Sequence, residues 1–139
     1  MLWNRVHGVN IAVRDLERWT KQYEEMLGVK GVPVAEEGFA FPGLTGTSFD
    51  LKGFNLNLIS SDDPNTSVGR FLERKGDGFF LLSLRVDNVD KATQELREQG
   101  FPPLLEEPAR GAGHLPVNFV HPREMAGVQI EIIEVPGQD

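Results

Sequence analysis

"IAVRDLE", residues 11–17, and "LRVDNVD", residues 84–90, have the same construction: the end of an apolar strand, a polar capping residue, and the opening of a helix. Laying one on the other sets Ile11 on Leu84, an offset of 73 residues and so about half of the 139-residue chain. The similarity extends on both sides of each stretch. "RVHGVNIAV" reads as a strand leading into the helix "RDLERWTKQYEEMLG", where Leu16, Trp19, Tyr23 and Met26 or Leu27 recur at helical spacing. "FFLLSLRV" leads likewise into "DNVDKATQELREQG". Asp15 and Asn88 are suited to cap the two helices, and Gly28 and Gly100 to end them. Strand candidates follow each helix: "FAFPG" and "TSFDLKGFNLNLIS", the latter turned back at Lys52-Gly53, and then "VNFVH" and "VQIEIIEV". The prediction is one α+β domain of two βαβββ modules, about residues 4–60 and 76–135. A polar linker of about residues 61–75, with one helical turn, joins them.

A module with one amphipathic helix can cover only one face of its sheet. Side by side, two such modules curve their uncovered faces around a shared cleft, where a small ligand would bind. The composition narrows the ligand class. With no cysteine there is neither a disulfide framework nor a thiolate metal site, and only His, Asp, Glu and neutral oxygens remain as metal donors. A formal charge of −7 without a basic run argues against nucleic acid. No apolar run is long enough to cross a membrane, and "MLWNRVHG" does not resemble a signal peptide, so a cytoplasmic protein is expected.

"VNIAVRDLERW", "RFLERKGDGFFLLSLRVDNVDKA" and "GAGHLPVNFVHPREMAGVQIEIIE" resemble the vicinal oxygen chelate superfamily, and within it the methylmalonyl-CoA epimerase-like branch. The resemblance implies paired βαβββ modules and, in most members, one divalent metal held by a ligand from each of four strands. It also implies a homodimer, for which Trp3 and the Phe39–Phe41 region are the available apolar surfaces.

Strand parity tests whether this metal site survives, because alternate side chains face opposite sides of a sheet. Val9, Ile11, Leu56, Leu58, Leu82, Leu84, Ile130 and Ile132 form the helix-facing rows. Asn10, Asn55, Asn57, Leu81, Ser83, Arg85, Gln129 and Glu131 then face the cleft. By the resemblance the four ligand positions fall on Gly8, Asn57, Leu81 and Glu131, of which only Glu131 keeps the family's residue type. His7 stands one residue early and by parity points away from the cleft unless a bulge re-aims it. His114 in "GAGHLP" is a second possible replacement, and His121 in "VHP" reads as structural. No metal and no other cofactor is therefore expected.

The inward polar set is suited to hold a small molecule, with Glu131 as the candidate catalytic base, paired with Arg85 or desolvated. Glu36 and Glu37 lie near the place where the resemblance puts an acid–base glutamate. The foremost expectation is binding of a small organic ligand without a metal, as in the superfamily's bleomycin-resistance-like members. The alternatives are a metal-independent lyase or isomerase acting on an acyl-CoA or related carboxylic substrate, and a metal-dependent epimerase or glyoxalase with rearranged ligands.

Overall fold

A computed structural model of the chain describes residues 2–111 and 113–136. The first half runs β1 (Arg5–Ala12), α1 (Leu16–Leu27), β2 (Val32–Val34), β3 (Thr45–Leu51) and β4 (Phe54–Ser60). After α2 (Ser67–Lys75), the second half runs β5 (Gly78–Val86), α3 (Val89–Glu98), β6 (Ala109–Gly111), β7 (His114–Val120) and β8 (Gln129–Glu134). The strands form one mixed sheet in the order β2-β3-β4-β1-β5-β8-β7-β6. From its centre the order is the same in both directions, β1-β4-β3-β2 and β5-β8-β7-β6, which is the paired βαβββ arrangement expected. Each module pairs its first and last strands in parallel, and β1 meets β5 antiparallel along the seam, Gly8 opposite Ser83 and Asn10 opposite Leu81.

Local chemistry sets the helix limits. The Asp15 carboxylate accepts from the Arg18 amide at 3.1 Å, and Gly28 ends α1 at φ 67°. The Asn88 side chain accepts from the Lys91 amide at 2.9 Å at the start of α3. Such a cap contributes about 1 kcal/mol. Leu16, Trp19, Tyr23 and Leu27 pack on Val13, Phe49 and Leu58, while Met26 is 71% exposed, so Leu27 completes the apolar face. Val89, Ala92 and Leu96 of α3 pack on Val86, Val120 and Ile132. Burying each of the larger aliphatic side chains contributes roughly 1.5–3 kcal/mol.

Three elements differ from the sequence expectation. "FAFPG" is not a strand: Phe39 turns into a core of Ala12, Leu44, Ile59, Val68 and Leu72, and Phe41 stacks at 5.9 Å on Phe119. The edge positions are taken instead by the three-residue strands β2 and β6, too short to show an alternation. Pro33 is tolerated in β2 because β2 is an edge strand. The supposed polar linker contains the nine-residue α2, capped by Thr66, with Val68 and Leu72 buried. This helix packs on Ala12 and Ile59, both on the uncovered side of the sheet, and so closes one end of the concave face. Of the aromatic surfaces expected to serve a dimer, Trp3 and Phe41 are exposed.

Candidate functional site

Beyond the end covered by α2, the concave face holds a cavity of about 380 Å³. Its floor is built from β1, β4, β5 and β8 through Asn10, Asn55, Asn57, Ser83 and Glu131. The mouth is formed by Phe39 and Ala40 from one module and His114 and Leu115 from the other. These five floor residues are all in the inward set read from strand parity. The other three members of that set lie elsewhere. Leu81 is buried among Val117, Phe119 and Ile133. Gln129 lines a separate hollow against α2, beside Arg70 and Leu104. Arg85 is buried behind the cavity wall.

Glu131 sits next to Ser83 across the β5–β8 pairing, and the Ser83 hydroxyl donates to Glu131 Oε1 at 2.6 Å. Desolvation disfavours its charge and raises its pKa to about 7, against the opposing pull of the Ser83 hydrogen bond. The expected alternative pairing with Arg85 is not the one found, since Arg85 turns toward His7.

His7 corrects the parity expectation. The β1–β5 register slips between Val6 and Gly8, so His7 is an extra residue in β1 and its ring lines the cavity. Gly8 makes the bulge possible. A Cβ there would lie 1.9 Å from the Asn55 carbonyl oxygen, so only glycine lets β1 approach β4 at this point. An isolated glycine inside a strand pattern was the available sign of the bulge.

The Arg85 Nε–H donates to His7 Nδ1 at 2.9 Å. A guanidinium has no acceptor, so Nδ1 must present its lone pair, and the ring hydrogen resides on Nε2. Burial and then the Arg85 charge hold the His7 pKa down at about 4, which keeps the ring neutral. His7 Nε2–H lies 3.4 Å from Asn55 Nδ2, itself a donor that gives its hydrogen to the His7 carbonyl at 3.3 Å, and Asn57 Nδ2 donates to Asn10 Oδ1 at 2.9 Å.

This donor set does not fit a resident divalent metal. A ligating imidazole directs a lone pair at the ion and donates from its other nitrogen to an acceptor, whereas Arg85 imposes the reverse on His7. Leu81 offers no donor and is packed in an apolar cluster, and Asn57 offers only a neutral amide oxygen. Among the described residues, no group of three or more His, Asp or Glu side chains converges as a metal site would require.

The remaining candidates lie outside the cavity floor. His114 is at the mouth, its Nδ1 2.8 Å from the Leu115 carbonyl oxygen, so that nitrogen carries a hydrogen, while Nε2 lies against Gly111. His121 caps a turn by accepting from the Arg123 amide at 3.0 Å. Glu36 and Glu37 are exposed on a short 3-10 turn (Glu36–Gly38), with Glu36 accepting from the Gly43 amide at 2.8 Å.

Comparison with known proteins agrees with the fold. Residues 7–119 match the family model described as Glyoxalase/Bleomycin resistance protein/Dioxygenase superfamily. The mitochondrial methylmalonyl-CoA epimerase of Homo sapiens is 33% identical over 94% of this chain and 75% of that protein. The crystal structure of methylmalonyl-CoA epimerase from Mycobacterium tuberculosis superimposes with a TM-score of 0.83 at 30% identity, covering 96% of this chain and 89% of that one. A Streptomyces coelicolor methylmalonyl-CoA epimerase variant in complex with 2-nitronate-propionyl-CoA superimposes at 0.82 with 24% identity, over 97% and 99% of the two chains, a likeness of fold alone. The chain belongs to the Glyoxalase/Bleomycin resistance protein/Dioxygenase superfamily, in its methylmalonyl-CoA epimerase-like branch.

Proposed function

We propose that the cleft takes an acyl thioester of the acyl-CoA class and moves a proton at its α-carbon without a metal, with Glu131 as the base. The observation that carries this reading is Glu131 itself: a carboxylate at the floor of a cavity, held by Ser83 and brought by desolvation to a pKa of about 7. A base poised near neutral pH is half ionised there and strong enough to take a proton made acidic by an adjacent carbonyl. In that step the α-C–H bond breaks and its electron pair forms the enolate C=C. The thioester C=O becomes C–O⁻, and the proton resides on the Glu131 carboxyl. Return of a proton to the same face gives exchange with solvent, and return to the other face inverts the centre. His114, at the mouth, is the second proton-carrying side chain of this scheme: its Nε2 takes a proton from solvent and gives it to the opposite face of the enolate carbon, while Glu131 returns its own proton to solvent. Asn10, Asn55 and Asn57 orient the substrate by hydrogen bonds. The likeness to proteins named methylmalonyl-CoA epimerase supports the substrate class.

A second reading, binding without turnover, is favoured by the largely apolar wall of Val34, Phe39, Ala40, Leu115, Val117 and Ile133. Incubation with methylmalonyl-CoA and propionyl-CoA in D2O separates the two. Proton transfer gives mass gain at the α-carbon that is lost in Glu131→Gln. Binding alone gives ligand-dependent melting shifts with no mass gain.

A further inference from the structure

We propose that His7 Nε2–H is the electrophile of this site: a neutral imidazole donating a hydrogen bond to the thioester oxygen as it becomes an enolate oxyanion, with Arg85 as the positioning residue that fixes its tautomer. The inference rests on the proton-transfer reading above and supplies the component that reading lacks. A base alone does not stabilise the charge that develops on oxygen, and preorganised donors aimed at that oxygen are commonly the largest contribution to such reactions. The floor residues of the cavity provide amides and a hydroxyl, and Ser83 is committed to Glu131.

Three observations place His7 in the role. The bulge between Val6 and Gly8 brings a ring into the cavity that strand alternation would have directed away. The 2.9 Å bond from Arg85 Nε to His7 Nδ1 leaves the hydrogen on Nε2, the nitrogen beyond that bond. Gly8 pairs with Ser83 and Ser83 with Glu131, so the donor and the base are two strand spacings apart, roughly 10 Å between backbones. Two inward side chains of their length can reach the carbonyl oxygen and the α-hydrogen of one thioester across that span. A neutral imidazole is well matched to the task, because it donates without having to give up its proton and returns to the same state after each turnover. Arg85 also donates from Nη2 to the Gly53 carbonyl at 3.3 Å, which ties the guanidinium to the β3–β4 turn and holds the ring from behind.

The test combines exchange kinetics with a tautomer measurement. Long-range 1H–15N spectra of histidine-labelled protein should show His7 as the neutral Nε2–H form, and Arg85→Met should release it to a tautomer mixture. In D2O with methylmalonyl-CoA, His7→Leu should lower kcat for α-exchange roughly 100- to 1,000-fold with KM little changed. His7→Gln, which keeps an N–H donor, should recover part of that loss. Binding of 2-nitronate-propionyl-CoA, an anionic enolate mimic, should weaken far more than that of propionyl-CoA in His7→Leu. A wild-type protein that exchanges and a folded His7→Leu or His7→Gln variant that exchanges equally fast would overturn the role of His7 and leave Glu131 as base. A wild-type protein with no exchange would overturn the proton-transfer reading, and the electrophile with it. An Nδ1–H tautomer in the wild type would remove the inference by itself.

Discussion

Replacing Glu131 with glutamine keeps the shape of the side chain and the acceptor for the Ser83 hydroxyl, and removes only the ionisable group. A carboxyl whose pKa rises from 4.5 unfolded to about 7 folded binds more protons in the native than in the unfolded state between those values. Wild-type stability therefore falls as pH rises through that window, and reaches a lower plateau above it. Each tenfold change in a protonation equilibrium corresponds to about 1.4 kcal/mol, so ionisation opposes folding by roughly 3 kcal/mol at pH 8 and by less than about 1 kcal/mol at pH 5. The Glu131→Gln variant should gain on the wild type by about 2 kcal/mol between those pH values, or several degrees in Tm for a chain of this size. Comparing the two proteins cancels the other groups. These include His7, whose pKa depressed to about 4 makes stability fall as pH drops from 6.5 toward that value. Urea unfolding at pH 5, 6, 7 and 8 measures the difference directly. A gap that stays constant with pH would show that Glu131 is not desolvated and would remove the basis for a poised base.

Other consequences follow from particular contacts. Gly8→Ala must move β1 away from β4, because its Cβ would fall 1.9 Å from the Asn55 carbonyl oxygen; a loss of several kcal/mol is expected in urea titrations, with His7 displaced. Asn118 is fully buried, accepting from the Leu105 and Phe119 amides and donating to the Leu105 carbonyl and Thr93. Asn118→Ala leaves those groups unpaired and should cost about 3 kcal/mol in the same measurement. His114→Gln should retain α-deuterium exchange while slowing inversion of the α-centre, read by chiral analysis of the product.

The fold was legible because its signal is duplicated. Asp15 and Asn88, Gly28 and Gly100, and two amphipathic helix faces occur in the same order at offsets of 73 and 72 residues, and each supports the other. Parity placed Asn10, Asn55, Asn57, Ser83 and Glu131 on one face because β1 beyond its bulge, β4, β5 and β8 each alternate over several residues. The two edge strands had too few residues to alternate, and the apolar face of α2, little more than Val68, Phe71 and Leu72, is hidden in a polar segment. His7 was misplaced because parity counting fails at a bulge, and the direction of Arg85 depends on where His7 goes. Leu81 sits on the inward row, but Val117, Phe119 and Ile133 fill the space in front of it. Packing of that kind depends on residues distant in sequence, which no strand pattern shows.

The most direct test of a metal-independent site is α-deuterium incorporation into methylmalonyl-CoA by protein stripped with chelator and assayed with chelator present. Exchange at the rate of untreated protein, abolished in Glu131→Gln, is the predicted result. Exchange that disappears on stripping and returns with a stoichiometric divalent cation would contradict the account, as would its persistence in Glu131→Gln.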